Sequence, residues 1–296
     1  MKIPPALYPF ESRFFDLGGL RYHYLDEGKS LEGREPVVML HGNPTWSFYY
    51  RDLIRSLRDR HRVIAPDHIG CGYSDKPGDD RYEYSLQQRV SDVEALLDAL
   101  VPTEKLTLVL HDWGGMIGMG WAVRHPERVR RIVLLNTAAF HLPESKKLPR
   151  SLWWVRNTAV AAFLVRRFNA FSRGAAWIGC RRIRLAKEVR DAYCAPYDSW
   201  KNRIATLRFV QDIPLSPEDR AYDFVTEVQS RLGLFSDTPV LLCWGDRDFV
   251  FDHHFLAEWR RRLPQAEVHR FEDCGHYVLE DAKAEILQLV SRFLEA

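Results

Sequence analysis

The chain has 296 residues, of which 46% are hydrophobic and 12% aromatic, and it carries 42 Lys and Arg against 40 Asp and Glu. This composition supports a large core and excludes a disordered chain, and a net charge of +2 gives no argument for a nucleic acid or an anionic membrane as a partner. The five cysteines are scattered without a CxxC pair, which disfavours a disulfide framework or a zinc site and favours a reducing cytoplasm.

Short apolar strands alternate with longer amphipathic helices along most of the chain. This alternation is typical of a parallel sheet with helices on both faces, so the sequence predicts an α/β fold. The predicted strands are Val37–Leu40, Val63–Ala65, Leu106–Leu110, Ile132–Leu135, Val240–Trp244 and Ala266–His269. The predicted helices are Leu86–Leu100, Gly114–Arg124, His253–Arg262 and Ala282–Leu294.

The alternation stops between about residues 140 and 235, which contain aromatic and basic helical segments separated by prolines. We interpret this region as a helical cap, or lid, inserted into a core domain made of residues 1–139 and 236–296. A lid over the carboxyl edge of a parallel sheet would enclose a dry ligand pocket there. The residues MKIPPALYPFESRFF (1–15) contain no continuous apolar stretch of signal-peptide length, and no window of the sequence approaches the apolar length of a membrane span, so we expect neither feature.

The most informative chemical motif is LTLVLHDWGG (106–115), where a predicted buried strand runs directly into a helix. A polar residue followed by glycine at such a junction is typical of a nucleophile elbow, a strained turn that lifts one side chain above the sheet. Asp112 stands where the G-x-S-x-G pattern has serine, and Leu110 replaces the first glycine. An isolated Asp at this position is more often a helix N-cap, so the interpretation depends on the other motifs.

Two later motifs supply partners for Asp112. WGDRD (244–248) follows a predicted strand and offers Asp248, with Asp246 as the alternative, as an acid that orients a histidine. DCGHY (273–277) places His276 on a glycine-containing loop after the last predicted strand. The order nucleophile, acid, histidine is the chain order of α/β-hydrolase triads, so the sequence predicts the α/β-hydrolase fold with a carboxylate nucleophile.

Two residues are predicted to stabilise negative charge beside this triad. In this fold, the loop after an early strand and the residue after the nucleophile supply backbone N–H groups to an oxyanion hole, and these positions are Asn43 and Trp113. Their side chains are neutral donors that can also hold a leaving anion. The glycine-rich segment PDHIGCGYSDKP (66–77) is predicted to be a structural turn, since it lacks the pattern of a phosphate loop.

An aspartate nucleophile narrows the substrate class. Attack by a carboxylate on a saturated carbon displaces a leaving group and forms an alkyl ester, which indicates alkyl halides, epoxides or strained lactones. An apolar lid favours a hydrophobic substrate. We predict no cofactor and no metal, and His253 and His254, at a predicted helix start, have no further metal ligand in view.

The motifs HGNPTWSFYYR (41–51), PDHIGCGYSDKP (66–77) and HDWGGMIGMG (111–120) resemble those of haloalkane dehalogenases. The resemblance implies that Asp112 is the nucleophile and that Trp113 and Asn43 hold the leaving halide. Some members carry the triad acid at the position of Asn136. Because this chain has Asn there, the resemblance implies that the acid is Asp248.

The segments NAFSRGA (169–175), APYDSWKNRIATLRFVQDIP (195–214) and WGDRDFVFDHHFLAEW (244–259) resemble the β-lactone decarboxylases of bacterial long-chain olefin biosynthesis. The resemblance implies conversion of a cis-3-alkyl-4-alkyloxetan-2-one, a hydrophobic substrate with alkyl chains, into a cis-alkene and CO₂. It also implies a cytoplasmic enzyme with pathway neighbours, namely a thiolase, a ketone reductase and a β-lactone synthetase, in one multienzyme assembly.

We hypothesise that Asp112 attacks the strained ring at its carbonyl, giving a mixed anhydride and an alkoxide, while Asn43 and Trp113 stabilise the developing oxyanion. The alternatives are a haloalkane dehalogenase, and then an epoxide hydrolase, which would need lid tyrosines such as Tyr193, Tyr197 or Tyr222. A non-catalytic binding protein would be expected to have lost a triad member.

Two features of the lid can each be interpreted in two ways. Trp153 and Trp154 either line the pocket or only pack the lid. The basic stretch 181–190 is either a solvated helix face or a docking surface for a pathway partner.

Overall fold

An eight-stranded sheet organises the fold in the computed structural model, which describes residues 3–28 and 34–296. The strand order is β1-β2-β4-β3-β5-β6-β7-β8, antiparallel at β1–β2–β4 and parallel from β4 to β8. The strands are β1 Arg13–Leu17, β2 Leu20–Glu27, β3 Val37–Leu40, β4 Val63–Pro66, β5 Leu106–Asp112, β6 Val129–Thr137, β7 Val240–Gly245 and β8 Glu267–Phe271.

All six predicted strands are present, with β8 shifted by one or two residues. The central strands β3, β4, β5 and β7 consist of buried residues throughout, because helices cover both faces of the sheet. The sequence analysis missed β1 and β2, which form the antiparallel edge: β1 has exposed and partly buried residues only, and β2 mixes exposed with buried residues. Their exposed charges interrupt the continuous apolar run that identifies a central strand.

Twelve α-helices accompany the sheet in the described part of the chain. The four predicted helices are present, and two of them, α2 and α10, have the predicted bounds. The helices are α1 Arg51–Leu57, α2 Leu86–Leu100, α3 Trp113–Ala122, α4 Arg150–Asn157, α5 Ala159–Phe168, α6 Ala170–Ile178, α7 Lys187–Cys194, α8 Ile204–Gln211, α9 Tyr222–Arg231, α10 His253–Arg262, α11 Val278–Asp281 and α12 Lys283–Glu295.

The connection between β6 and β7 contains only helices, α4 to α9 and three short 3-10 turns, over residues 138–239, all of which the structure describes. Within it α5 packs against both α4 and α6, and α8 packs against α4 and α5. Elsewhere helices alternate with strands. The helical insertion therefore follows the carboxyl end of β6, directly beside the elbow at the end of β5.

The five cysteines, Cys71, Cys180, Cys194, Cys243 and Cys274, are all free thiols. Among the helices of residues 3–28 and 34–296, none has the length and apolarity needed to cross a membrane.

Candidate active site

Asp112 occupies a strained turn between β5 and α3. Its φ is +52°, a backbone conformation that residues other than glycine rarely adopt. Its side chain accepts no capping hydrogen bond from α3. The turn packs so closely on the loop after β3 that a Cβ atom at Gly42 would lie 2.0 Å from Oδ1 of Asp112. A Cβ atom at Gly114 would lie 1.9 Å from the carbonyl oxygen of Leu40. Both glycines are therefore required by the close approach of the two loops that position Asp112.

The two carboxylate oxygens of Asp112 have different surroundings. Oδ1 accepts a hydrogen bond from the backbone N–H of Asn43 at 2.5 Å, and the backbone N–H of Trp113 also donates to the carboxylate. Oδ2 lies 3.6 Å from Nε2 of His276. The backbone donors that we expected to hold a substrate oxyanion thus hold the nucleophile itself. Oδ2 is left as the oxygen available for attack.

His276 is held by Asp248. The Nδ1–H of His276 donates to Oδ2 of Asp248 at 2.8 Å, and the other carboxylate oxygen of Asp248 accepts from the backbone N–H of Val250. Asp246, the alternative acid, instead forms an ion pair with Arg270 at 2.7 Å. The structure therefore brings Asp112, His276 and Asp248 together and leaves Asp246 outside the group.

Burial and charge act in opposite directions on this group. Burial raises the pKa of Asp112 to about 6, although His276 and the backbone N–H groups of Asn43 and Trp113 lower it. Burial alone would lower the pKa of His276, but Asp248 and then Asp112 together raise it above its usual value. At neutral pH, Asp112 is consequently ionised next to an imidazole that readily carries a positive charge.

A mostly apolar cavity of about 110 Å³ lies above Asp112. Its polar side chains are Asn43, Asp112, His141 and His276, together with the indole of Trp113. The apolar lining comes from the insertion between β6 and β7 and from the loop after β7, mainly Leu148, Pro149, Leu152, Phe171, Ala175, Val210, Ile213, Phe249, Val250 and Phe251.

Asn43 and Trp113 both line the cavity, as predicted from their positions. The side-chain amide of Asn43 donates to the backbone oxygen of Thr206 in α8 at 3.0 Å, which ties the loop after β3 to the insertion. The indole of Trp113 packs on Phe209, with ring centroids 5.4 Å apart. Within residues 3–28 and 34–296, no acceptor lies within hydrogen-bond distance of the Trp113 indole N–H. This donor is therefore free to bind an anion in the cavity.

Asn136 does not face the cavity. Its side-chain amide donates to the backbone oxygens of Gly245 and Phe251 at 3.0 and 3.2 Å, and its oxygen accepts from the N–H of Gly245. It is completely buried, with a φ of +34°. Asn136 thus fastens the end of β6 to the loop that carries Asp248, a role that the sequence analysis did not identify.

None of the three tyrosines considered for epoxide protonation lines the cavity. Tyr193 donates to Glu280 at 2.5 Å, Tyr197 donates to the backbone oxygen of Thr45 at 3.3 Å, and Tyr222 stacks on His141. Trp153 and Trp154 also lie outside the cavity and are about half exposed. The interpretation of these two tryptophans as pocket residues is therefore wrong.

The segment 66–77 is a structural turn, as predicted. Gly70 and Gly72 have φ values of +91° and +47°. Buried Asp67 accepts a hydrogen bond from the backbone N–H of Ser47 at 2.7 Å, and its other carboxylate oxygen lies 2.7 Å from Nδ1 of His23. Near α10, the expectation that His253 and His254 have no further metal-ligand residue beside them is wrong. A carboxylate, Asp252, lies within 4.8 Å of both, although it already pairs with Lys146 at 2.5 Å.

The sequence analysis missed the loop 249–251 and His141 as parts of the cavity. Phe251 stacks on the His276 ring with centroids 5.9 Å apart and planes 19° apart, so it shields the imidazole from water. The only sequence signal for this loop was its position directly after Asp248.

Comparison with known proteins gives close and distant relatives. The α/β hydrolase fold family matches residues 35–283. A cis-3-alkyl-4-alkyloxetan-2-one decarboxylase of Shewanella oneidensis is 55% identical over 98% of this chain and 90% of its own length. A protein of the same name from Xanthomonas campestris pv. campestris is 50% identical over 97% of both chains. The crystal structure of the haloalkane dehalogenase DatA from Agrobacterium tumefaciens C58 superposes with a TM-score of 0.86 at 28% identity over 99% of both chains.

Proposed function

This chain belongs to the α/β hydrolase family, and from that premise we propose that it is a β-lactone decarboxylase, which converts a cis-3-alkyl-4-alkyloxetan-2-one into a cis-alkene and CO₂. The observation that carries the proposal is the carboxylate of Asp112, which lines a mostly apolar cavity and whose Oδ2 lies 3.6 Å from Nε2 of His276. The chain is also 50% and 55% identical to two decarboxylases of this name. The enzyme is accordingly a carbon–carbon lyase on a hydrolase scaffold.

The point of attack follows from atom balance. Attack at the lactone carbonyl leaves the ring oxygen on the hydrocarbon as an alkoxide, yet CO₂ must carry away both lactone oxygens. Attack by Oδ2 of Asp112 on ring carbon 4 instead breaks the bond from that carbon to the ring oxygen. It produces an alkyl ester on Asp112 and a free carboxylate on the neighbouring carbon. We therefore replace the carbonyl attack of our initial hypothesis with displacement at the saturated carbon.

The second step needs no water. The bond between the new carboxylate and ring carbon 3 breaks, CO₂ leaves, and the electron pair forms the alkene as the ester oxygen departs with Asp112. Displacement inverts ring carbon 4, so the ester bond stands anti to the breaking carbon–carbon bond. Inversion followed by anti elimination returns the cis arrangement of the two alkyl groups to the alkene. Asp112 is regenerated as a carboxylate.

Asn43 and Trp113 have distinct roles in this scheme. The backbone N–H of Asn43 holds Oδ1, and the backbone N–H of Trp113 also stabilises the charge of the carboxylate, so that Oδ2 is aligned for attack. The free indole N–H of Trp113 stabilises the carboxylate that leaves the ring carbon. Their side chains act in the same cavity as Asp112.

His276 is proposed to set the charge of Asp112 rather than to activate water. Its raised pKa favours an imidazolium 3.6 Å from Oδ2, which keeps Asp112 ionised in an apolar cavity. Asp248 orients this ring through the 2.8 Å hydrogen bond at Nδ1.

A haloalkane dehalogenase activity is the second candidate, because the free indole N–H of Trp113 would hold a halide as well as a carboxylate. An epoxide hydrolase lacks such support, since no tyrosine of the described residues lines the cavity. We further propose that the enzyme is cytoplasmic, that residues 140–235 form its cap domain, and that it works beside a β-lactone synthetase and a ketone reductase.

The deciding experiment is mass analysis of products from a synthetic cis-dialkyl β-lactone, with a 1-bromoalkane of equal chain length in parallel. We expect stoichiometric cis-alkene and CO₂ from the lactone, and slower bromide release. Incubation in ¹⁸O-water should leave the CO₂ unlabelled at early times, before exchange with solvent. A hydroxy acid as the main product would show that the enzyme is a hydrolase.

A further inference from the structure

We propose that the outer face of the helices α4 to α6, together with residues 181–190, binds the surface of an anionic lipid bilayer. We call this surface the cap face. It consists of exposed side chains on three consecutive helices and the segment that follows them. The inference goes beyond the catalytic proposal and its first test requires no turnover.

The cap face exposes an unusual number of large apolar side chains. Trp153 is 54% exposed and Trp177 is 55% exposed, whereas tryptophans such as Trp46 and Trp121 in the sheet domain are fully buried. Exposed apolar groups of this size mark interaction surfaces. The exposed apolar side chains of the cap face are Trp153, Trp154, Val160, Phe163, Phe168, Trp177, Ile178 and Ile183, with Trp200 beside them.

The same segment is strongly basic. Residues 145–190 contain twelve Lys and Arg but a single acidic residue, Glu188. The overall charge of +2 hides this concentration, because acidic residues elsewhere in the chain balance it. Within the described ranges 3–28 and 34–296, no carboxylate lies within 4.0 Å of seven of these arginines, namely Arg150, Arg166, Arg167, Arg173, Arg181, Arg184 and Arg190.

The cations and the aromatic rings are intermixed. The guanidinium groups of Arg184 and Arg190 lie 4.7 and 4.2 Å from the ring centroid of Trp177, and that of Arg166 lies 4.5 Å from Trp200. Tryptophan is favoured at the level of lipid headgroups, and arginine there pairs with phosphate. Apolar and aromatic side chains among unpaired cations are the signature of a segment that lies in the membrane interface.

A groove beside α6 offers a place for a headgroup. It has a volume of about 580 Å³ and is lined by Arg167, Arg173, Arg190 and Arg203. Two carboxylates also line it, Asp191 and Asp198, and Asp191 is paired with Lys187 at 2.6 Å. The groove therefore keeps a positive balance that suits a lipid phosphate.

The cap face also adjoins the cavity. Leu152 of α4 and Phe171 and Ala175 of α6 line the cavity, while Trp153 and Trp177 of the same helices point outward. The helices that would touch a bilayer are thus the ones that roof the substrate. If the proposed function holds, a lactone with two alkyl chains could pass between membrane and cavity without crossing water.

The experiment is co-sedimentation of the full-length protein with vesicles of phosphatidylcholine alone or with added phosphatidylglycerol, at low and high salt. One variant removes charge (Arg167→Gln/Arg173→Gln/Arg184→Gln) and a second removes apolar groups (Trp153→Ser/Trp177→Ser). The matched control (Arg81→Gln/Arg130→Gln/Arg260→Gln) removes three exposed arginines outside the cap. The far-UV circular dichroism spectrum and the melting temperature verify that each variant is folded.

We expect binding to the anionic vesicles only, weakened by salt, with a partition constant lower by about 100-fold in the charge variant and by about tenfold or more in the tryptophan variant. The control should bind like the wild type. Absence of binding to anionic vesicles overturns the proposal, as does equal loss in the control. Unchanged binding of the tryptophan variant would show that only charge attracts the cap face to lipid, and would overturn the proposal that its apolar side chains enter the bilayer surface. If sedimentation velocity shows that the wild type is a dimer and that the same substitutions dissociate it, the cap face binds a second copy of the chain and the lipid proposal is wrong.

Discussion

The sheet edge and the helical insertion contribute differently to the same cavity. The proposed triad comes from the carboxyl edge of the sheet, where Asp112 ends β5 and Asp248 and His276 lie in the loops after β7 and β8. The helices α4, α6 and α8 instead contribute apolar side chains such as Leu152, Phe171 and Val210. The charges are also divided. Residues 140–235 hold 17 Lys and Arg against 9 Asp and Glu, and the rest of the chain holds 25 against 31.

This difference separates chemistry from selection of substrate. A rigid sheet holds reacting groups to within a few tenths of an ångström of the geometry that the reaction needs. The side chains on the inner face of the helical insertion can be substituted without moving those reacting groups. The proposed scheme accounts for the likeness to both a decarboxylase and a dehalogenase, because in it both reactions would begin with displacement by Asp112. Substitutions at the sheet edge should therefore abolish turnover, and those in the insertion should redistribute it among substrates.

The largest effect is expected for Asp112→Asn. An amide cannot displace the ring oxygen, so decarboxylation should fall by about 10,000-fold or more, measured as CO₂ release. Asp246→Asn is the matched control, because Asp246 pairs with Arg270 away from the cavity and its loss should leave the rate unchanged. Substantial decarboxylation by Asp112→Asn would exclude Asp112 as the nucleophile.

His276→Phe should separate the two chemistries. Hydrolysis of an alkyl ester on Asp112 needs a base, so bromide release should stop after one turnover and mass spectrometry should detect the alkylated enzyme. Decarboxylation uses no water and should fall less, by about 10- to 100-fold, through the lost charge beside Asp112. His254→Phe, outside the cavity, controls for the substitution. Equal losses of both activities would mean that His276 also acts as an acid or base toward the lactone.

The pH profile should report the ionisation of Asp112. Because burial raises the pKa of Asp112 to about 6, the reactive carboxylate is present above that pH and is lost below it. The decarboxylation rate, kcat/KM, should therefore fall by about tenfold for each pH unit below 6. It should be highest between pH 6 and the raised pKa of His276, and it should decline at higher pH, where His276 loses the positive charge beside Asp112. Dehalogenation also needs neutral His276, whose pKa is raised, so its profile should continue to rise at higher pH. A decarboxylation rate that is constant down to pH 4 would contradict the raised pKa.

The smallest effect is expected in the insertion. Ala175→Phe places a ring in the cavity and should lower kcat/KM for a long-chain lactone by about tenfold, with little change for a short-chain one. Ala170→Phe, on the exposed start of α6, should change neither value. A uniform loss for both chain lengths would indicate damage to the sheet edge and not a narrower cavity.

Local patterns in the chain were sufficient for much of the fold. The six predicted strands are buried parallel strands with continuous apolar runs, and the elbow at Asp112 combines an apolar strand, a polar residue and glycines, signals that need no knowledge of distant contacts. The edge strands β1 and β2 escaped notice because their exposed faces carry charges. The choice of Asp248 over Asp246 came from family likeness and motif order, and local pattern alone did not separate the two.

By itself the sequence determined which residue types follow each strand. It therefore predicted that a carboxylate nucleophile, a second acid and a histidine would meet at one edge of a parallel sheet. Only the tertiary structure decided how they meet: that the N–H of Asn43 binds Oδ1 and leaves Oδ2 free, that Asn136 clamps the loop of Asp248, and that Trp153 faces outward. Periodicity along a chain specifies local conformation, whereas hydrogen-bond partners and exposure depend on residues that are brought together from distant segments.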